Sequence, residues 1–173
     1  AQNFFTKNGN EFLSANGAPG AKYWQTRADY NLHAIIDTVE PILRGTETIF
    51  YTNNSPDALS SLWLQLDQNT YRKDARSNFY SSHGSNEYSE GYQFETVTIE
   101  YKGKNIKAGY MINDTRMQIR LPDALSSKEK IKIHIKYHYT IPEIFGGRTD
   151  FFSTKNGKIY EIAQWYPRMC VYD

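Results

Sequence analysis

Two histidines at metal-ligand spacing are the first residues whose types suggest chemistry. His134 and His138 lie four positions apart, as do the zinc ligands on the helix of many metalloproteases. That motif needs Glu directly after the first His as general base, and position 135 is Ile. The strict alternation around the pair predicts a strand, on which residues four apart are separated by ~13 Å. We therefore interpret both as histidines on a solvated face that share no metal.

The single cysteine, Cys170, is a nucleophile candidate by type alone. It lies in the apolar run Met169-Cys170-Val171, where a buried and inert thiol is the better interpretation. One cysteine excludes an intramolecular disulfide and a Cys-rich zinc site. The sequence also has no Gly-x-Ser-x-Gly turn and no calcium-loop spacing of acidic residues. It therefore predicts no complete catalytic or metal-binding motif.

The charge balance gives no overall attraction to a strongly charged partner. Twenty Lys and Arg residues against nineteen Asp and Glu residues give a net charge of +1, so nothing draws the chain toward nucleic acid or anionic membrane. The mean hydropathy is −0.68, and no run approaches the ~18 apolar residues of a membrane span. A basic stripe would form only if the strands that carry Arg116 and Arg120 pair with those that carry Lys132 and Lys136. A solvated face is the default interpretation of these residues.

Alternating apolar residues identify the elements that must position any site. Three successive segments between Ala28 and Leu66 alternate with period two, and Asn53–Asp57 breaks the last two apart. These segments predict one antiparallel sheet with a single covered face. The residues predicted on that face are Tyr30, Leu32, Ala34, Ile36, Leu43, Ile49, Tyr51, Leu62, Leu64 and Leu66.

Further strands follow after residue 91. Lys102-Gly103-Lys104-Asn105 and Asn156-Gly157 predict hairpin turns, and Gly146-Gly147 predicts another turn. We interpret Leu121–Leu125 as a loop, because Pro122 cannot donate to a strand ladder. The predicted strand residues are Phe94–Tyr101, then a return through Ile106, Ala108, Tyr110 and Ile112, then Met117–Leu121, Ile131–Ile141 and a last strand opened by Ile159, Glu161 and Ala163.

This pattern predicts an all-β fold, an antiparallel and saddle-like β-sandwich with little or no helix. Residues 1–22 form an N-terminal arm, and residues 23–173 form a single β domain. Residues 67–91 are polar and irregular, and their role stays open. Tyr71–Phe79 forms either a short helix or part of an elaborated surface loop.

The aromatic content permits two interpretations. Fourteen Tyr, nine Phe and three Trp make up 15% of the chain. Aromatic residues on alternating strands fit sheets with one packed and one wet face. A sugar-binding surface is the more specific interpretation of the same composition. The aromatic residues are spread along the chain and not clustered, which favours a structural role in packing over sugar binding.

The residues at both ends of the sequence lead to predictions. The chain begins Ala-Gln-Asn without Met, as a mature exported protein does after its leader is removed, and as an expression product does. We expect export to the periplasm, cell envelope or exterior. The end, Gln164–Asp173, stays aromatic and apolar to its last residues, so we expect Trp165, Tyr166 and Val171 to pack against polypeptide that follows.

The order of several short motifs resembles a known family. Arg27–Ala34, Leu43–Ser55 and Leu62–Leu66 resemble the first strands of the N-terminal domain of the gluzincin zinc aminopeptidases, the family of aminopeptidase N and leukotriene hydrolase. Ile131–Tyr139 and Gln164-Trp165-Tyr166-Pro167 resemble the later part of that domain. The similarity covers about Tyr23 to Asp173.

The resemblance implies a non-catalytic β domain that caps a thermolysin-like catalytic domain and shapes the access of peptide substrates. In that family zinc is bound by HExxH and a downstream Glu, and neither this motif nor Gly-x-Met-Glu-Asn occurs here. No catalytic or metal residue is carried over, and zinc is expected in the absent catalytic domain. The family often supplies Gln or Glu from this region to the free amino group of the substrate, and Gln164 is the candidate.

Two functions therefore stand at this point. The first is the N-terminal domain of a zinc aminopeptidase-like metallopeptidase, whose partners are the catalytic domain of the same protein and the peptide substrate. On this interpretation the chain alone has no peptidase activity. The alternative is a freestanding β-sandwich module that binds glycan or protein through aromatics on a wet face. For Gln164 the alternative is a structural role at a strand end.

Overall fold

The computed structural model describes residues 9–79, 88–143 and 148–172, and eleven strands lie in these ranges. The pairings between them are antiparallel. The strands are β1 (Arg27–Asp37), β2 (Ile42–Thr52), β3 (Leu59–Gln65), β4 (Gln93–Tyr101), β5 (Lys104–Lys107), β6 (Gly109–Asn113), β7 (Arg116–Leu125), β8 (Lys130–Thr140), β9 (Thr149–Thr154), β10 (Gly157–Ile162) and β11 (Arg168–Met169).

The strands form two main sheets and a hairpin. The five-stranded sheet has the order β1-β2-β8-β4-β5, and the four-stranded sheet has the order β11-β3-β7-β6. Strands β9 and β10 pair with each other only, within the described chain. The inner faces of both sheets and of the hairpin contribute to one hydrophobic core. The predicted all-β, antiparallel, sandwich-like fold is confirmed.

The central strands follow the predicted alternation closely. On β2, Leu43, Ile49 and Tyr51 are buried, and on β8 every second residue from Ile131 to Tyr139 is buried. The inward residues of both strands pack in the hydrophobic core, which covers this face along its length. The polar residues between them point to the outer face, except Glu47 on β2, which is buried on the inner face.

The prediction that β1, β2 and β3 form one sheet is wrong. Strand β3 belongs to the four-stranded sheet, where it pairs with β7. The Asn53–Asp57 turn carries the chain from one sheet to the other. The buried Asn53 side chain holds this turn by donating to the carbonyl oxygens of Asp57 at 2.7 Å and Leu125 at 2.8 Å. The alternation predicts which residues of these strands are buried, but it does not predict which sheet each strand joins.

The predicted cover over β1 is also incomplete. Tyr30 is half-buried and packs on the core, but Leu32, Ala34 and Ile36 are exposed on the same face. Strand β1 forms an edge of its sheet, and within the described residues no second layer extends over this part of it.

The Lys102-Gly103 hairpin is confirmed, and both of its residues adopt left-handed backbone, with φ of 50° and 73°. The returning strand predicted from Ile106 to Ile112 is divided between the sheets. Its first part is β5, and after Ala108, which donates to the Val97 carbonyl oxygen, the chain enters the other sheet as β6.

The predicted loop at Leu121–Leu125 is wrong, because these residues belong to β7. Pro122 is accommodated there because the pairing with β6 ends at Arg120, so no donor is needed on that side. The pairing with β3 shifts register between Leu59 and Ser61, opposite the same stretch. The Pro therefore lies in an irregular edge segment of the strand.

The irregular segment contains two short 3₁₀ helices, Asp67–Tyr71 and Arg76–Phe79. The short helix considered for Tyr71–Phe79 is thus replaced by two tighter turns, and Gln68 and Asn69 in the first are buried. Residues 80–87, with His83, and the predicted Gly146-Gly147 turn lie outside the described residues. No helix in the described ranges is long and apolar enough to cross a membrane.

Candidate functional site

Gln164 lies between β10 and β11, in a turn that we define as Ala163–Trp165 and call the 164 turn. Its backbone is left-handed, with φ of 49°, and its side chain is exposed. For a residue with a Cβ this conformation costs about 1 kcal/mol or more, so surrounding contacts must hold it. Such strain outside glycine often occurs at functional sites.

A buried glutamine holds the first half of the 164 turn. The Gln68 amide nitrogen donates to the carbonyl oxygens of Ala163 at 3.0 Å and of Gln164 at 3.2 Å. It also donates to Thr149 Oγ1 at 3.0 Å, and that hydroxyl donates to the Ala163 carbonyl oxygen at 3.1 Å. Both Gln68 and Thr149 are buried. Two side chains from distant parts of the chain therefore fix the backbone on which Gln164 stands.

Three buried tyrosines, Tyr92, Tyr137 and Tyr139, hold the second half, and we call them the tyrosine layer. The Tyr92 hydroxyl donates to the Gln164 carbonyl oxygen at 3.4 Å. The hydroxyls of Tyr137 and Tyr139 donate to the Trp165 carbonyl oxygen at 3.3 and 3.4 Å. Tyr92 packs edge-on against both other rings, with centroids 5.3 Å apart in each pair. Burial raises the pKa of all three hydroxyls, so they remain donors at neutral pH.

A buried carboxyl lies beside the tyrosine layer. Glu47 is only 3% exposed, and neither of its oxygens has a hydrogen-bond partner within the described residues. Desolvation raises its pKa to about 9, so it is protonated and neutral at pH 7. Its neighbour at the next inward position, Gly45, has no side chain, and the Tyr137 ring occupies that space.

The residues after the 164 turn form β11 of the four-stranded sheet, and side chains of the first 3₁₀ helix and of β1 hold them. Arg168 forms a two-point ion pair with Asp67, at 2.8 and 3.2 Å. The amide of Met169 donates to the Tyr30 hydroxyl at 2.9 Å, and the Tyr30 ring contacts Tyr166 edge-on with centroids 5.4 Å apart. The backbone on both sides of Gln164 is therefore fixed.

Asp67, Gln68 and Asn69 act together, because the first 3₁₀ helix presents them in three directions. Asp67 binds Arg168 and Gln68 binds the 164 turn, as described above. The Asn69 carboxamide donates to the Asp114 carbonyl oxygen at 2.9 Å, and its oxygen accepts the Tyr92 amide at 2.9 Å. This helix thus links the 164 turn, the tyrosine layer and the β6–β7 hairpin.

The 164 turn presents a polar side chain to solvent. The Gln164 carboxamide is exposed and makes no hydrogen bond within the described part of the chain. A carboxamide oxygen accepts hydrogen bonds from an ammonium group, and its nitrogen donates to a carboxylate or carbonyl. A fixed backbone lowers the entropy cost of holding such a group in one place.

The histidines of the predicted solvated face lie on the outer face of the five-stranded sheet. His134 Nδ1 is 3.0 Å from Thr48 Oγ1, and His138 Nδ1 is 3.2 Å from a Glu95 oxygen. Each belongs to a separate polar contact, as expected for a solvated face. In the described ranges no three His, Cys, Asp or Glu side chains converge on a metal-sized space.

The basic stripe does not form. Arg116 and Arg120 lie on β7 in the four-stranded sheet, while Lys132 and Lys136 lie on β8 in the other. Lys132 pairs with Glu100 at 2.8 Å, and Lys136 pairs with Glu95 at 2.6 Å.

Cys170 is half-buried, and burial raises the pKa of its thiol. Its amide donates to the Trp63 carbonyl oxygen at 2.8 Å. A raised thiol pKa lowers the thiolate fraction, which agrees with an unreactive cysteine. Of the apolar residues at the end of the chain, Trp165 and Tyr166 pack partly on the core, whereas Val171 is 84% exposed.

The residues that support Gln164 are not predicted from the sequence. Gln68, Asn69 and Thr149 lie outside the regular alternation, and Tyr137 and Tyr139 enter only as members of an apolar row. One signal exists for the tyrosines: a Tyr on a covered face needs a partner for its hydroxyl. For Gln68 and Thr149 no local pattern predicts the contact, since they lie 96 and 14 positions from the carbonyl oxygens they bind.

No protein-family model matches this sequence, and no curated protein matches it. Several solved structures do. An M1 zinc metallopeptidase from Deinococcus radiodurans is 16% identical with a TM-score of 0.46, over 74% of this chain and 24% of that one. A mutant of an M1 zinc metallopeptidase from the same organism, bound to a Tyr-Ser-Ala substrate, is 17% identical with a TM-score of 0.45, over 72% of this chain and 22% of that one. A two-domain M1 zinc metallopeptidase mutant bound to L-tryptophan is 16% identical with a TM-score of 0.45, over 76% and 24%.

This chain thus spans about a quarter of the length of the solved structures it matches. The M1 zinc metallopeptidases that these structures represent are the zinc aminopeptidase family that the sequence resembles.

Proposed function

We propose that this chain is the non-catalytic N-terminal β domain of a zinc aminopeptidase-like metallopeptidase. In this proposal it covers a catalytic domain that holds the zinc, and it shapes the entrance for peptide substrates. Gln164 presents its carboxamide to the free amino group of the substrate.

The observation that carries the proposal is the construction of the 164 turn. An exposed polar side chain stands on left-handed backbone, and three consecutive carbonyl oxygens, from Ala163 to Trp165, are bound by buried side chains. Left-handed backbone also occurs at Lys102, Asp114 and Lys128 in turns of this chain, so φ alone does not distinguish Gln164. Its distinguishing feature is the set of buried side chains that bind the carbonyl oxygens around it, and this support favours a role for the side chain that it holds.

The direction of the carbonyl groups supports the same role. The buried side chains bind the backbone oxygens from the core side, while the Gln164 side chain extends to solvent. The turn is therefore fixed from beneath and open above. This arrangement suits a group that contacts a ligand arriving from another domain, because recognition groups bind best when they are preorganised.

In such an enzyme the catalytic domain, not this chain, supplies the zinc-activated water that attacks the peptide bond. The carboxamide oxygen of Gln164 accepts a hydrogen bond from the substrate ammonium and so fixes the position of the first residue. Preference for a free amino terminus follows, because a blocked terminus carries no charge and fewer hydrogens to donate.

The experiment compares the full-length gene product with the isolated 173-residue chain. We expect the reading frame to continue past Asp173 into a segment with HExxH. The full-length protein should release amino acids from an aminoacyl reporter, lose this activity with a chelator and regain it with zinc. The isolated chain should release none, with or without zinc. A reading frame that stops at Asp173, or zinc-dependent release by the isolated chain, would contradict the proposal.

A binding module for glycan is the second candidate, and one observation favours it. Trp63 is 43% exposed on the outer face of the four-stranded sheet, beside an open hollow of about 450 Å³ that Ser61, Arg116 and Tyr172 also line. An exposed indole next to hydroxyl and guanidinium donors suits stacking on a sugar ring. Binding of the isolated chain to a glycan array, lost in Trp63→Ala, would support this candidate instead.

A further inference from the structure

Strand β1 has an open edge of unusual length. It forms the end of the five-stranded sheet, it is eleven residues long, and no described strand pairs with its outer side. Every residue from Asn31 to Ile36 is exposed. Its ladder with β2 continues from Arg27 to Asp37 without a bulge. Proteins usually protect such an edge with lysine, proline, a bulge or a short strand, and the middle of β1 has none of these.

Apolar side chains stand on both faces of this edge. On the inner face Leu32 is 37% and Ile36 is 40% exposed, and on the outer face Ile35 is 59% exposed. The ladder of backbone groups and these apolar side chains together form a surface that another strand would complete. Main-chain hydrogen bonds supply the affinity in such strand addition, and alternate side chains supply the specificity.

The sequence of β1 is complementary to itself in antiparallel register. Pairing of the full strand with a second copy places Leu32 opposite its own equivalent, because Leu32 is the middle of the eleven residues. In this register Arg27 faces Asp37 of the second copy, and the symmetry forms this ion pair twice. On the inner face Ala28 meets Ile36, and Tyr30 meets Ala34.

Neighbouring registers are poorer. A shift that centres the pair on His33 places Asp29 opposite Asp37, and like charges facing each other are unfavourable. A shift that centres it on Asn31 places Arg27 opposite Ile35 and loses both ion pairs.

The charged groups are available for the symmetric register. Asp37 accepts the amides of Val39 and Glu40 through the same oxygen, Oδ1. Arg27 pairs with exposed Asp29 of its own strand, at 2.8 and 3.0 Å. Such a pair between exposed side chains is weak, so it does not prevent Arg27 from turning toward a second copy.

We propose that two copies of this chain associate through β1, antiparallel and in register about a two-fold axis at Leu32, to join their five-stranded sheets into one. The contact area of a single strand pair is small, so the association is weak and depends on concentration. It is independent of the function proposed for the 164 turn.

Cysteine cross-linking tests the register. Leu32→Cys in a Cys170→Ser background places two thiols opposite each other, where the Cα separation of ~5 Å allows a disulfide. Ile36→Cys in the same background is the matched control, since its two copies are about eight strand positions apart, ~26 Å. After mild oxidation we expect a covalent dimer from the Leu32→Cys variant and none from the Ile36→Cys variant. Equal cross-linking at both sites, or none at either, would overturn the proposal.

Charge reversal tests the ion pairs by sedimentation over a range of concentrations. Arg27→Asp and Asp37→Arg should each shift the chain toward monomer, and the double variant should restore the dimer because the pair is reversed. Both positions are accessible to solvent, and circular dichroism verifies that each variant is folded. A monomer at every concentration in the unmodified chain, or failure of the double variant to restore association, would contradict the register.

Discussion

At the scale of single residues, five buried side chains with polar groups bind one turn. Gln68 and Thr149 bind the carbonyl oxygens before and at Gln164, and the tyrosine layer binds those at and after it. A buried donor without a partner costs about 1–3 kcal/mol, so these groups stabilise the fold only while the turn keeps its shape. The same contacts that satisfy the core therefore preorganise Gln164.

Glu47 is buried without a hydrogen-bond partner within the described residues, and it gives the stability of the chain an unusual pH dependence. Its pKa is about 9 in the folded state against 4.5 in the unfolded chain, because burial disfavours the carboxylate. The unfolded state loses this proton first, so the free energy of unfolding falls as pH rises from 4.5 to about 9. Glu47→Gln stays neutral throughout, and we expect it to be more stable than the unmodified protein by about 3 kcal/mol at pH 7. Chemical denaturation at pH 4 and pH 7 measures this, with little difference expected at pH 4.

Glu95→Gln is the control for Glu47→Gln, because the pKa of Glu95 is shifted in the opposite direction. Lys136 and His138 on the outer face hold the pKa of Glu95 below its usual value. Such a carboxylate contributes stability that is lost as pH falls, so its removal should weaken the protein at neutral pH. If Glu47→Gln proves less stable than the unmodified chain at pH 7, Glu47 is ionised and has a partner.

A pair of glycines tests the packing of the tyrosine layer. A methyl group on Gly45 would overlap the Tyr137 ring, whereas at Gly109 nothing lies within 4 Å. Gly45→Ala should destabilise the fold by about 1–3 kcal/mol, because the ring must move and its hydrogen bond to Trp165 is strained. Gly109→Ala should change the stability by less than about 0.5 kcal/mol. Thermal unfolding compares them, and equal effects would show that Tyr137 is free to shift.

At the scale of elements, the 3₁₀ helix Asp67–Tyr71 binds the 164 turn, Arg168 and the β6–β7 hairpin, although it is only five residues long. Gln68→Ala removes the donor that binds the Ala163 and Gln164 carbonyl oxygens. We expect a loss of about 2–3 kcal/mol in the free energy of unfolding, together with a changed near-ultraviolet spectrum from Trp165. Gln118→Ala, which breaks one 3.4 Å contact to Ser61, is the matched control and should lose less than about 1 kcal/mol. A Gln68 variant with the stability and spectrum of the control would show that Gln68 does not hold the 164 turn.

The strands also show what sequence reasoning can reach. Alternation predicted the buried residues of β2 and β8, because the core covers the inner face of both strands. It failed at Leu32 and Ile36, since a repeating apolar face does not state whether another layer covers it. It misassigned Pro122, because only the neighbouring strand decides whether a donor is needed there. Gln164 entered through family resemblance, and its support comes from side chains far away in sequence.

At the scale of the whole molecule, the two outer faces differ. On the outer face of the five-stranded sheet, the charges of Lys132 and Lys136 are paired with those of Glu100 and Glu95. The outer face of the four-stranded sheet exposes Trp63 beside Arg116. The 164 turn lies between the β9–β10 hairpin and the four-stranded sheet and is held by residues of the five-stranded one. Its position therefore depends on all three layers.

The most direct test of the role of Gln164 is the kinetics of the full-length gene product on an aminoacyl reporter with a free amino group. Gln164→Ala should lower kcat/KM by about 10- to 100-fold, as expected for one hydrogen bond to a charged group, mainly through KM. Gln164→Glu should retain most of the activity, and Gln93→Ala, an exposed glutamine on β4, should leave it unchanged. If the Gln164→Ala and Gln93→Ala variants have the same kcat/KM, the 164 turn does not recognise the substrate and the central claim is wrong.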